Sequence, residues 1–191
     1  MLLKKKNQFN NMQNNNLYSL ANKLFPINRS ITGNGVRKTL KILKEINHSL
    51  KIKEIPSGTK VFDWKIPNEW NAKDAWIKDK NNKKILDFKK NNLHLMSYSV
   101  PVNKSLNFKE LKKHLYFNSS RPNAIPYVTS YYKKKWGFCL SKNQFKKLKS
   151  QTYKVKIDTT LKKGSLTYGE IFIPGKSKKE IFLSTYICHP S

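Results

Sequence analysis

The side chains best suited to chemistry stand at the end of the sequence, in Ser184-Thr185-Tyr186-Ile187-Cys188-His189-Pro190-Ser191. An imidazole nitrogen and a thiolate sulfur are both good zinc ligands. The preceding stretch, Ile181 to Ile187, is almost continuously apolar, which is the pattern of a strand buried on both faces. Such a strand delivers Cys188 and His189 to its C-terminal end, where open α/β sheets place their sites. One histidine and one cysteine do not make a metal site, however, and an ordinary loop histidine is the commoner occurrence.

Other residues carry a functional and a plainer reading side by side. Trp64, Trp70 and Trp76 interleave with Asp63, Glu69 and Asp74, a set that suits sugar binding, although aromatic residues at strand spacing are more often core. His94 and His114 lack a paired ligand motif and read as satisfied structural histidines. His48 closes a helix, where a basic residue favours the helix dipole. The turn Thr32-Gly33-Asn34-Gly35 opens a helix and could receive an anion there, but a lone Gly-x-Gly is more often an ordinary helix entry. Cys139, beside Phe138 and near Trp136, reads as an apolar core thiol.

The elements that must position these residues fall into three stretches. Leu17, Leu20, Ala21 and Leu24 share one helical face, ended by Pro26. Val36, Leu40, Leu43 and Asn47 share another, with Ile46 beside them. From about Leu50 the period becomes twofold. Phe62, Trp64 and Ile66 predict a half-buried strand, and Ala75-Trp76-Ile77, the turn 80–83 and Ile85-Leu86-Asp87-Phe88 predict a hairpin. Tyr98, Val100 and Val102 continue the alternation, with Pro101 marking an edge. Asn107 caps a short helix with Glu110 at the capping-box position, and Phe108, Leu111 and Leu115 on its face. Strands are expected at Ile125 to Tyr132, Trp136 to Leu140 and Tyr153 to Ile157, with a helix from Ser141 through Leu148. Leu166 to Ile173 and Ile181 to Ile187 predict two final strands around the Pro174-Gly175 turn.

The domain reading is therefore a loose tail at 1–15, opening helices at 16–50, a mostly β sandwich or barrel-like unit at 51–160, and 161–191 returning to the first domain. The fold class is α/β, with the β unit as an insertion.

Composition narrows the function class. A chain of 191 residues, 38% hydrophobic and 12% aromatic, can bury a core. It has no apolar run long enough to span a bilayer, and no apolar run follows Met1 to Asn7, so neither a membrane partner nor a secretory signal is expected. Cys139 and Cys188 offer no disulfide framework, and the expected compartment is the cytoplasm. The net charge of +28 invites a nucleic-acid reading, yet of 39 basic residues only Arg29, Arg37 and Arg121 are arginine. The bidentate guanidinium reads phosphates and base edges better than lysine does. Lysine and asparagine in excess along the whole chain fit an AT-rich coding bias, so a solvated basic surface is favoured over a specific nucleic-acid site.

Several blocks resemble a bacterial aminopeptidase-like family whose members carry domains of unknown function, some labelled polysaccharide-biosynthesis proteins. The blocks are Arg29 to Arg37, Pro56 to Trp64, Ile66 to Trp70, Ile125 to Tyr132, Trp136 to Leu140, Gly169 to Gly175, Glu180 to Thr185 and Cys188 to Ser191. The resemblance implies an α/β zinc-exopeptidase-like fold with an inserted β domain, and the hydrolysis of an amide bond in a small peptide or related conjugate. It implies two zinc ions, with His189 as the first ligand. The general base and the remaining ligands are expected beyond Ser191, so this stretch of chain is expected to hold an incomplete site. One departure stands out: the family's His-x-Asp at this strand end aligns with Tyr186 and Cys188, and neutral tyrosine is a poor zinc ligand. The rival reading is a non-enzymatic module that binds an anionic glycan or another acidic partner.

Overall fold

A computed structural model describes residues 16–188 of the chain, so the tail expected at 1–15 lies outside the described residues. Two helices open it, as the periodicity predicts. In α1 (Asn16–Leu24) the apolar face is left largely uncovered, with Leu17 69% exposed. In α2 (Asn34–Ile46) Val36, Leu40 and Ile42 are buried, while Ile46 is exposed. The residue before α2 must be glycine: Gly33 has φ +100°, and a Cβ there would lie 2.3 Å from the Trp70 carbonyl oxygen. The helix ends at Ile46, capped by the Asn47 N–H on the Leu43 carbonyl, so exposed His48 lies past its last turn.

The strands follow as β1 (Lys51–Pro56), β2 (Lys60–Val61), β3 (Trp64–Lys65), β4 (Glu69–Lys78) and β5 (Lys84–Asp87). After them come β6 (Val102–Asn107), α3 (Phe108–Lys112), β7 (Leu115–Tyr116), β8 (Phe138–Cys139), α4 (Lys142–Lys146), β9 (Thr152–Lys162) and β10 (Ser165–Glu170). The main sheet has the order β5-β4-β9-β6 and is antiparallel throughout. Period-two alternation fixes its inner face: Ala75 and Ile77 on β4, and Tyr153, Val155 and Ile157 on β9, are all buried. A bulge between Ala72 and Asp74 lets Trp70 share that face.

The expected 75–88 hairpin forms as β4–β5. Both short helices form with the caps their sequences predict. The Asn107 side chain accepts from the Glu110 N–H, and Ser141 with Gln144 makes a complete capping box. Glu110 itself turns outward to Lys113, and α4 stops at Lys146 rather than Leu148.

Four predicted strands are corrected. Phe62 is 91% exposed with φ +49°, so 62–63 is the tip of a small β2–β3 hairpin and not the middle of a half-buried strand. Tyr98 has φ +65°, which breaks the predicted 98–102 alternation; the strand begins at Val102. The 125–132 run forms only an isolated bridge, Ser97 to Thr129, and 136–140 contributes only Phe138–Cys139. The 98–102, 125–132 and 136–140 stretches, largely irregular, instead cover the inner face of the sheet, bringing Tyr98, Tyr131, Trp136, Phe138 and Leu140 to one core. Among the described residues no second sheet of comparable size faces the first. The result is a mixed α/β architecture, rich in strands with few helices.

The β1–β10 ribbon stands apart from this sheet and packs against α2 through a smaller cluster of Val36, Leu40 and Leu50. Arg37 on α2 ties the two parts together. Its Nε donates to Glu54 on β1 at 2.8 Å, and its guanidinium forks onto both oxygens of Glu69 on β4, with Nη1 at 3.0 Å from Oε1. Ser165 on β10 adds its N–H to Glu69.

The last expected strand is also corrected. Residues 181–187 form no strand, and Ile181, Phe182 and Leu183 are 88–90% exposed. The 166–173 strand ends at Glu170, leaving Phe172 and Ile173 exposed too. A strand buried on both faces needs neighbours on each edge to take up its N–H and carbonyl groups. Among the described residues no strand pairs with this segment. It follows that Phe182→Ser should move the thermal midpoint of this chain by no more than about 2 °C, since surface changes stay within about 0.5 kcal/mol. Calorimetry of the two proteins checks this.

Candidate functional site

The predicted metal ligand His189 lies outside the described residues, but the chain leading to it does not. Ile187 and Cys188 are half-buried and pack on the α2–β1 cluster of Val36, Leu40 and Leu50. Cys188 lies within electrostatic reach of Arg29, Tyr127 and Tyr131. Cys188 therefore lies beside Arg29, Tyr127 and Tyr131, which join Thr32 and Tyr98 in a polar and aromatic wall drawn from 29–32, 97–99 and 127–131.

Arg29 is 8% exposed, and its Nη1 donates to the Leu24 carbonyl at 2.7 Å. Burial lowers the pKa of its guanidinium, with Cys188 acting in the opposite sense. Burial likewise raises the Cys188 thiol, against the pull of nearby Arg29. Thr32 holds the next part of the wall. Its hydroxyl lies 2.6 Å from the Tyr98 hydroxyl and accepts the Trp70 N–H at 3.1 Å. Tyr98 stacks on Trp70 at 5.7 Å and meets Tyr131 edge-on at 5.1 Å. Burial pushes the Tyr98, Tyr127 and Tyr131 hydroxyls upward, so these groups are neutral at physiological pH. Neutral phenols at such a place orient or hydrogen-bond; they do not act as bases.

The remaining predicted residues separate cleanly. Trp70 is core, at 2% exposure, and its Nε1–H donates to the Ser99 carbonyl at 3.0 Å. Trp64 lies on the small hairpin and Trp76 on the outer face of the main sheet, so the three tryptophans do not form one surface. Glu69 belongs to the Arg37 ion pair, which holds its carboxyl down at about 2. His94 is buried and donates from Nδ1 to the Cys139 carbonyl at 2.8 Å, and His114 stacks on Trp136 at 3.6 Å while donating to its carbonyl. Burial lowers the pKa of both rings, which fits structural histidines. Cys139 is fully buried with its thiol pushed up to about 12, an inert core group.

At the Thr32-Gly33-Asn34-Gly35 turn a small polar cavity of about 130 Å³ is lined by Asn28, Ser30, Thr32, Asn34 and Asn71. The Asn34 N–H already donates to Asn71 Oδ1 at 2.7 Å, which makes this a side-chain-satisfied helix entry. Among the described residues no three His, Cys, Asp or Glu side chains converge to hold a metal ion. Cys188 has a guanidinium for a neighbour and a raised pKa, so the described residues do not fit a zinc site by themselves. What inspection of the sequence missed is the wall itself. Arg29 and Tyr127–Tyr131 were legible only as blocks of resemblance, because nothing local says that stretches about a hundred residues apart will face Cys188.

Comparison with known proteins adds the larger context. The domain of unknown function DUF2172 matches residues 69–160, the stretch from the start of β4 through most of β9. A Clostridium acetobutylicum protein, provisionally named for polysaccharide biosynthesis and an aminopeptidase-like domain, is 54% identical over 175 residues, covering 92% of this chain. A crystal structure at 2.37 Å from Clostridium acetobutylicum, provisionally described as a peptidase, superposes with a TM-score of 0.85 at 54% identity over 91% of this chain. The chain spans 40% of the length of that relative and 41% of that crystallised chain. Residues 69–160 are thus similar to DUF2172, and over nearly its whole length the chain is similar to part of a bacterial protein named for an aminopeptidase-like domain.

Proposed function

We propose that this chain is the leading part of an aminopeptidase-like zinc hydrolase that cleaves an amide bond in a small peptide or sugar-linked conjugate, with a role in surface polysaccharide biosynthesis. The observation that carries this is the 54% identity over 175 residues to a relative named for both an aminopeptidase-like domain and polysaccharide biosynthesis. Helices α1 and α2, the ribbon β1–β10 and the terminal segment belong on this reading to the hydrolase domain, and the main sheet to an insertion. The anchoring of α2 on β10, the Arg37 clamp and the uncovered apolar segment 181–183 support it. Exposed strand-like sequence is what a sheet lacking its neighbours presents.

His189 is the proposed zinc ligand, and the bound metal would polarise the scissile carbonyl. Because the described residues supply no further ligands, the other donors and the general base come from polypeptide outside this sequence. Arg29, Tyr127 and Tyr131 lie within electrostatic reach of Cys188, the residue before the proposed ligand. Full-length protein purified from cells should contain zinc by elemental analysis, and His189→Ala should lose at least one ion per chain together with hydrolysis of a panel of aminoacyl amides. Undiminished zinc in the variant, or wild-type protein without zinc, rejects the assignment.

A further inference from the structure

On the face of the main sheet opposite the core, the strand register assembles an unusual surface. Inner positions alternate with outer ones, so Asp74, Trp76 and Lys78 on β4 share the outer face with Lys154, Lys156 and Asp158 on β9. The pairings Lys78 to Lys84 and Lys78 to Lys154 set three lysines in one row across β5, β4 and β9. Adjacent strands are about 4.8 Å apart, and like charges directly opposite are destabilising. Relief within the chain is slight. Lys84 pairs with Asp87 at 3.0 Å, Lys78 sits 4.6 Å from the centroid of the Trp76 ring, and Lys154 reaches only the neutral Asn82 amide at 3.1 Å. Among the described residues Lys84 alone of the three has a carboxylate partner.

The next rung is Asp87 on β5, Trp76 on β4 and Lys156 on β9, and at the bulge beyond it Asp74 pairs with Asp158. The face therefore has a direction, from a cationic row through a half-buried indole to a pair of carboxylates. We infer that it binds an acidic oligosaccharide, with a sugar carboxylate on the Lys78–Lys84–Lys154 row, a pyranose ring on the face of Trp76 that Lys78 leaves free and ring hydroxyls donating chiefly to Asp158, since one Asp74 carboxylate oxygen is buried. The lysine row supplies the charge complementarity that the mutual repulsion of its members calls for. The acidic end decides the class of ligand. A nucleic-acid strand repeats its phosphates at every unit and would set one against Asp74 and Asp158, whereas a sugar brings hydroxyl donors to them. An indole presents a flat apolar face that suits the C–H face of a sugar ring.

Binding at this face requires neither zinc nor the proposed hydrolase activity. The test is titration of the protein with tetragalacturonate at about 150 mM salt, where nonspecific attraction between exposed charges is largely screened, followed by tryptophan fluorescence and calorimetry. Binding is expected for the wild type, and Trp76→Ala and Lys154→Glu should each weaken it about tenfold. Lys134→Glu, in the exposed 132–135 turn, makes the same change in net charge and should stay within about twofold. Because residue 76 points away from the core, Trp76→Ala should melt as the wild type does, and Lys154→Glu tests the same face independently. Equal weakening by Lys134→Glu and Lys154→Glu, or undiminished binding by Trp76→Ala, overturns the proposal. So does a single-stranded DNA oligomer that displaces the sugar and shows the same dependence on Trp76 and Lys154.

Discussion

Trp70→Ala should cost about 4 kcal/mol, the largest loss expected from any single side chain here. Truncating a fully buried aromatic typically costs 3–5 kcal/mol through lost transfer energy plus the residual cavity. Trp70 is 2% exposed and joins three parts of the molecule: its backbone meets Thr32, its ring stacks on Tyr98, and its indole N–H reaches Ser99. Ser99 is shared, since its carbonyl also accepts the Thr159 hydroxyl at 2.8 Å. The loss would therefore loosen α2, the 97–99 stretch and β9 together. Against a typical total stability of 5–15 kcal/mol, that leaves about 1 kcal/mol at the lower end, which unfolds roughly 15% of the molecules at room temperature. Trp70→Phe separates packing from polarity. It keeps most of the volume, gives up the N–H donor, and should cost about 1–2 kcal/mol. Urea unfolding of the three proteins checks both values; a Phe variant as damaged as the Ala variant would mean that the hydrogen bond, not the packing, dominates.

Removing the Arg37 guanidinium by Arg37→Met should cost about 3 kcal/mol at pH 7. Breaking one partner of a buried pair leaves an uncompensated charge, at 3–5 kcal/mol, and the lower end applies because the Arg37 side chain is 25% exposed while Glu69 is 9% exposed. The effect should depend on pH with a definite sign. Glu69 has its carboxyl held at about 2 in the folded protein, chiefly by hydrogen bonds from Arg37, against 4.5 for the unperturbed group. A depressed folded pKa gives stability that is present above the unfolded value and lost as pH falls through the folded one. The pair thus contributes fully above about pH 4.5, and its contribution fades toward pH 2. In Arg37→Met the carboxyl has no such support and takes up its proton earlier. The gap between wild type and variant should therefore narrow steadily as pH drops from 4.5 to 2. Denaturant midpoints measured in parallel across that range read the gap directly, and a pH-independent deficit would show that Arg37 acts through packing of its stem alone.

The legible parts of this protein were those whose cause is local. Alternation at Tyr153, Val155 and Ile157 places them inside wherever β9 pairs, because side chains on a strand must alternate. Asn107 and Ser141 cap their helices because a short polar side chain reaches an N–H three residues on. His94 and Cys139 are buried and structural, as their apolar neighbours and missing ligand partners suggest. The candidate site was legible only in part: the sequence singled out His189, which lies outside the described residues, and the resemblance pointed to Arg29 and 125–132 without showing that they meet Cys188.

Tertiary structure decided what depends on partners. The apolar runs 98–102, 125–132 and 181–187 have strand composition, but a strand exists only where another edge accepts its hydrogen bonds. Two of these runs became the irregular cover of the sheet, and the third found no neighbour among the described residues. Arg37 and Glu69 are 32 positions apart, and only the packing of α2 across β1 and β4 makes them a pair. The lysine row is the clearest case. Lysines are spread along the whole chain and carry little information singly, but the antiparallel register aligns Lys78, Lys84 and Lys154 beside Trp76. Composition therefore determined how much charge the protein carries, and strand pairing determined where that charge is concentrated enough to select a ligand.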